Sequence, residues 1–243
     1  MRDRRARRIL ITGATDGLGL AMARKYASYG ELVLATGRKP LARPEELFEH
    51  DTISYIRANQ LEPASAGARI LQAMDSLGWR GCDHVILNAG IGWVGDPVDE
   101  SVVQINEQIT TNLTSTIAIA HAVSGKLFAD KGQLTIIGSV AHKGAPNFAT
   151  YAATKSALRG FARSLREEWR DRARVQILHP VAVRTGMHQK AGFAPGVLAA
   201  TFMGQNRAAN ALMAAIHSGK DERTITRKYA LRRGWRVPAA VRK

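Results

Sequence analysis

The sequence predicts an α/β fold, a doubly wound and mostly parallel sheet of about seven strands with helices on both faces. Three observations carry this. Short, nearly continuous apolar runs alternate with helix-like stretches, as parallel strands covered on both faces require. The 243 residues, 45% of them hydrophobic, suit one domain spanning 1–243, with no linker or repeat to divide it. A glycine-rich segment, TGATDGLG at 12–19, follows the first apolar run directly.

The runs RILIT (8–12), LVLAT (32–36), ISYIR (53–57), HVILN (84–88), LTIIG (134–138) and VQILH (175–179) read as buried strands, and TIT (224–226) as an added edge strand. Helices fit 18–29, 64–77, 98–127, 150–171 and 204–218. The start near 98 carries Asp96 as cap and Pro97 in the first turn, with Asp99 and Glu100 facing the positive end of the dipole. Residues 186–203, rich in Gly, Ala and Met with Pro195, read as a substrate flap.

Charge is uneven. Residues 1–8 carry five Arg against Asp3, and residues 220–243 nine Lys/Arg against Asp221 and Glu222, so the two ends hold +11 of the formal +15. Basic ends are solvated tails, or arms for an anionic partner such as a peripheral membrane surface or an acyl carrier protein. Trp235 and Tyr229 are too few for a stacking platform, so no sequence-specific nucleic acid is expected. The single cysteine, Cys82, excludes an intramolecular disulfide and points to a reducing, cytoplasmic setting. No run of 18 apolar residues spans a membrane. His142, His179 and His188 lack metal-ligand spacing and read as hydrogen-bonded loop histidines, so no metal is expected.

Two local patterns carry chemistry. Gly13, Gly17 and Gly19 form G-x-x-x-G-x-G between a strand and a helix, which lets backbone approach a pyrophosphate at a helix N-terminus; the other reading is a tight turn without a ligand. In YAATK (151–155), Tyr151 and Lys155 share a helix face. The pair is either a packed tyrosine beside a snorkelling lysine or a phenol whose proton an ammonium makes mobile.

Taken in order, TGATDGLG, NAG at 88–90, Asn112, Ser139 and YAATK resemble the short-chain dehydrogenase/reductase family over roughly residues 8 to 185. The resemblance implies a Rossmann-like domain, a bound nicotinamide dinucleotide, a homodimer or homotetramer, and hydride transfer between a carbonyl and a secondary alcohol. It implies Tyr151 as general acid/base, Lys155 lowering its pKa and holding the nicotinamide ribose, Ser139 on the substrate oxygen, and Asn112 supporting a proton relay. For the cofactor it implies Gly13, Thr15, Asp16, Gly17, Leu18 and Gly19 at the loop, and Asn59 near adenine. Asn88, Ala89 and Gly90 follow, then Tyr151, Lys155, Pro180, Val183 and Thr185 around the nicotinamide. Gly37-Arg38-Lys39 has no acid after the second strand, so Arg38 and Lys39 favour NADP(H) over NAD(H), with Asp16 counting slightly against it. The chain departs from the family at Val181, which follows Pro180 where glycine is expected, and in a Ser139–Tyr151 spacing one residue short.

Apolar side chains at Ile91, Trp93, Val140 and Phe148, with Val181, Met187, Phe193 and Met203, would line a pocket for a hydrophobic ketone or alcohol. The alternative is a dinucleotide-binding sensor or scaffold without turnover, against which the intact Ser139–Tyr151–Lys155 set argues.

Overall fold

The protein is described from a computed structural model over residues 5–184 and 202–232. Its strands are β1 Arg8–Ile11, β2 Leu32–Gly37, β3 Ile53–Arg57, β4 His84–Leu87, β5 Gln133–Ile137, β6 Arg174–Pro180 and β7 Glu222–Ile225. They form one sheet in the order β3-β2-β1-β4-β5-β6-β7, every neighbouring pair parallel. The α/β doubly wound expectation is met, strand by strand.

The helices are α1 Gly17–Ala27, α2 Pro44–Phe48, α3 Pro63–Ser76, α4 Val102–Ile109, α5 Ser115–Ala129, α6 Ala149–Glu168, α7 Gln205–Ile216 and α8 Arg227–Arg232. They divide between the two faces of the sheet, and the strand residues divide with them. Ile9, Ile11, Val33, Ala35 and Ile86 join the core under α1 and α7, while Leu10, Leu34, Val85 and Leu87 join the core under α3, α5 and α6. Alternate side chains point to opposite faces of a strand. With both faces covered, nearly every position of the central strands is buried, and their runs read as continuous in the sequence.

Three expectations are corrected. The stretch expected as a helix at 98–127 is helical only from Val102, to Ala129, and is not regular throughout. Asp96 caps only a 3-10 turn at Pro97–Asp99, and α4 starts instead from Ser101, whose side chain and that of Gln104 form a reciprocal capping box. A π turn at Thr110–Thr114 then separates α4 from α5. Second, the basic amino-terminal segment is no solvated tail where it is described. Arg5 grips Asp83 through two nitrogens at 2.9 and 2.7 Å, Arg8 reaches Asp130 at 2.6 Å, and Arg7 pairs with the fully buried Glu31. Third, residues 220–232 belong to the fold: β7 pairs with β6, Ile225 is fully buried, and Ala230 of α8 packs into the core. The rest of the basic carboxyl-terminal segment lies outside the described residues. So do Thr185, Met187, His188 and Phe193, with nearly all of the expected flap. Among the described residues, no helix is long and apolar enough to cross a membrane.

Candidate active site

The glycine loop sits where β1 enters α1, and β4 holds it from behind. Thr12 Oγ1 accepts from the backbone N–H groups of Asn88 and Ala89 at 3.0 and 3.1 Å. Asn88 Nδ2 donates back to the carbonyls of Thr12 and Gly13 at 3.0 and 3.1 Å. The Asn88 side chain is thus committed to the loop. Gly13 has a φ of 63°, and a Cβ there would fall 2.8 Å from the Ala89 Cα. At Gly19 it would fall 2.2 Å from the Gly13 carbonyl oxygen. No side chain fits at either place, so backbone packs on backbone and leaves the first turn of α1 open to an anion. Asp16 caps α1, accepting from Gly17 N at 2.7 Å, and Leu18 packs on the core beneath.

Next to the loop, Thr15 lies against the end of β2, where a Cβ on Gly37 would meet its Cγ2 at 2.6 Å. Arg38 and Lys39 follow Gly37 and are exposed. Their backbone is fixed from β3: Tyr55 Oη donates to the Lys39 carbonyl at 2.5 Å and Arg57 Nε to the Arg38 carbonyl at 3.1 Å. Arg57, which the sequence reading missed, therefore adds a cation beside Arg38. The signal was the parallel register that sets Gly37 opposite Arg57. Asn59 sits one turn further, but its amide bonds Glu62 Oε1 at 3.0 Å and Leu61 N at 3.3 Å, ahead of α3.

Ser139, Tyr151, Lys155 and Asn112 converge past the carboxyl ends of β4 and β5. Ser139 caps a 3-10 turn at Val140–Lys143, its Oγ accepting from Ala141 N at 3.2 Å, and its hydroxyl faces the Tyr151 phenol and favours the ionised form of that phenol. Lys155 Nζ lies 5.6 Å from the centroid of the Tyr151 ring and donates to the Ile137 carbonyl at 3.0 Å. Tyr151 is 8% and Lys155 3% exposed. Asn112, fully buried in the π turn, accepts from Ile91 N at 2.8 Å and donates to Ile91 O at 2.9 Å and Thr154 Oγ1 at 3.1 Å. It ties the loop after β4 to α6 across the π turn. Gly90 belongs to the same cluster, because a Cβ there would lie 3.3 Å from Asn112 Oδ1 and 3.4 Å from Lys155 Nζ.

The electrostatics differ from the expectation drawn from YAATK. Burial raises the pKa of Tyr151, and the hydrogen bond from Ser139 only partly opposes it. The ammonium sits over the ring face and is itself costly to bury, so desolvation outweighs its pull on the phenol. Burial also brings Lys155 down to about 8. Between about pH 8 and 10.5 the unfolded chain keeps the lysine proton that the folded protein has lost, so stability rises with pH there. The span corresponds to a gain on the order of 3 kcal/mol, absent below it. In Lys155→Met that rise should vanish when denaturation midpoints are followed over the same range. Parallel curves for the two proteins would show that the amine is not desolvated.

Pro180 ends β6, and Val183 forms a parallel bridge to Met203. Met203 is 2% exposed and belongs to the core, not to a pocket wall as expected. The histidines are also placed differently from their spacing. His179 lies in β6, not in a loop, and donor atoms of His142, His179 and Glu222 come within 4.8 Å of one another. Glu222 is engaged by Arg159 at 2.6 Å, and the two imidazoles lie tilted by 35° with centroids 4.0 Å apart. His142 Nδ1 donates to the Ser139 carbonyl at 2.7 Å, so the cluster braces the strand end that carries Ser139. Burial, reinforced by His142, takes His179 down to about 4.

A glycine loop opening the first helix of a parallel doubly wound sheet, beside a buried Ser–Tyr–Lys cluster, defines a dinucleotide-fold oxidoreductase class. The short chain dehydrogenase family profile matches residues 7–195, and the chain belongs to that family. It is 31% identical over 194 residues to the uncharacterized oxidoreductase YciK of Escherichia coli K12, covering 75% of this chain and 76% of that one. The NADP-dependent 3-hydroxy acid dehydrogenase YdfG of Salmonella typhi is 33% identical over 186 residues, 72% of this chain and 68% of that protein. In fold, the chain is similar to a short-chain dehydrogenase from Sphingobium yanoikuyae in complex with NADPH. That match has a TM-score of 0.78 at 24% identity and covers 93% of this chain and 90% of that one.

Proposed function

We propose that this oxidoreductase interconverts a ketone or oxoacyl carbonyl and a secondary alcohol with NADP(H), using Tyr151 as general acid in reduction and base in oxidation. The observation that carries the reading is the cluster itself: the buried Tyr151 phenol with the Ser139 hydroxyl beside it and the Lys155 amine over the same ring. Bound NADPH would supply the hydride. The loop of Gly13, Gly17 and Gly19 fits its pyrophosphate because Gly13 and Gly19, pressed against Ala89 and Asn88, bring no side chain of their own to the first turn of α1. Arg38, with Lys39 and Arg57 beside it, suits a 2′-phosphate, and the NADP-dependent relative supports that choice.

In this mechanism the raised pKa of Tyr151 keeps its proton in place at neutral pH, so the acid form is the resting one. The Ser139 hydroxyl stabilises charge developing on the substrate oxygen and eases proton release from the phenol. Lys155 holds ribose hydroxyls as an ammonium, and Asn112 fixes the loop at Ile91 that faces the ring. Phe148 packs 6.2 Å from the Tyr151 ring between centroids and Trp93 follows Gly92, which backs onto that ring, so the two would give the site an apolar wall suited to a hydrophobic carbonyl compound. Val98, Val102 and Val103 stand 86, 71 and 67% exposed around the start of α4, an apolar row that supports a homo-oligomer. A panel of ketones and alcohols, followed by NADPH absorbance, tests the reading. Steady NADPH consumption on at least one ketone is expected, and inertness across the panel, with NADPH bound, would favour the sensor instead.

A further inference from the structure

Glu100, expected as an acid of a first helical turn, is 9% exposed and points inward. One carboxylate oxygen accepts from Gln108 Nε2 and the other from Thr150 Oγ1 at 2.6 Å. Both donors are neutral, and among the described residues no cation pairs with it; a carboxylate buried this way costs more than an amide. Gln108, 2% exposed, turns its own Oε1 to Trp93 N at 3.2 Å. The chain of contacts thus runs from the Trp93 backbone through Gln108 and Glu100 to Thr150, the residue before Tyr151. The same loop is held at Ile91 by Asn112 and at Gly95, whose N–H donates to the Asn147 carbonyl at 3.0 Å.

An ionised carboxylate only accepts hydrogen bonds. Facing Glu100, the Gln108 amide must present its NH2, which forces Oε1 toward Trp93, and the Thr150 hydroxyl must donate. We propose that Glu100, acting through Gln108 and Thr150, is a positioning residue that sets the Trp93 wall against the Tyr151 phenol. This rests on the oxidoreductase reading above.

The test compares Glu100→Ala, Glu100→Gln and Thr150→Val in the full chain. A glutamine can keep its oxygen toward Gln108 and donate to Thr150 Oγ1, so it should rescue what alanine loses. Glu100→Ala should lower kcat/KM for a ketone by about 10- to 100-fold, as a misplaced wall does. Its NADPH Kd should stay within about twofold, and Glu100→Gln should keep kcat/KM within about threefold. Thr150→Val cuts only the link to α6 and should fall between them, which covers the case of an alanine variant that does not fold. Amide hydrogen exchange at Trp93 gives an activity-free readout: faster by about tenfold or more in Glu100→Ala and near wild type in Glu100→Gln. Wild-type exchange at Trp93 in Glu100→Ala, or an NADPH Kd that worsens in step with kcat/KM, overturns the proposal. A wild type that consumes no NADPH on any ketone sinks the oxidoreductase reading, while the exchange result still decides the role of Glu100.

Discussion

Tyr151→Phe should lower ketone turnover by about 10²- to 10⁴-fold while NADPH binds as before. The ring is part of the packing: it meets Phe148 at 6.2 Å between centroids and backs onto Gly92, where a Cβ would lie 3.4 Å from it. Phenylalanine keeps those contacts and removes only the hydroxyl beside Ser139. The glycine loop and Arg38 lie on other elements, so cofactor affinity has no reason to change. Steady-state kinetics and an NADPH fluorescence titration on the same preparation separate the two effects. Turnover above about a tenth of wild type would mean that some other group delivers the proton.

Arg38→Asp should lower the preference for NADPH over NADH by a factor on the order of 100. The substitution removes a guanidinium that can grip a phosphate through two nitrogens and puts a repelling charge in its place. Arg57 holds the Arg38 carbonyl from the neighbouring strand, so the backbone of the turn should survive the exchange. Arg57 also leaves one cation behind, and Arg38→Asp with Arg57→Ala should shift preference further than the single change. The ratio of kcat/KM for the two cofactors is the measurement. A native enzyme that already prefers NADH, or a ratio unmoved by the swap, would remove Arg38 from cofactor choice.

The sheet was legible in the sequence because each central strand lies between two helical layers, which leaves a nearly unbroken apolar run at each of those crossings. Positions along YAATK were legible too, since helix periodicity brings Tyr151 and Lys155 to one face without reference to the rest of the chain. What stayed hidden depends on partners far away along the chain. Arg5 looked like part of a solvated tail because its carboxylate, Asp83, is 78 positions on. Glu100 looked like a dipole-facing acid because Gln108 and Thr150 come to it from α4 and α6. The direction of the Tyr151 shift was hidden for a related reason: spacing places an ammonium near a phenol but says nothing about how dry both are. The break between α4 and α5 was invisible because Thr110–Thr114 continues an acceptable helical pattern, and only the demand of the Ile91 backbone on Asn112 explains it.

That π turn sets a phase. An α-helix advances about 100° per residue, and a wide turn closed from Thr110 O to Ser115 N accommodates one residue more than a regular turn would. It therefore works as a vernier between two sets of contacts. Upstream, Gln108 is clocked toward Trp93; downstream, Ile119, Val123 and Leu127 are clocked toward the core under α3 and α6. Closing the same residues as a regular α-helix, with none removed, would rotate α4 by about 100° against α5. That rotation would carry Gln108 away from the Trp93 amide while the hydrophobic seam of α5 stayed in place. A more regular helix would then be the less competent one, because the irregularity is what lets a single rod answer to two different partners.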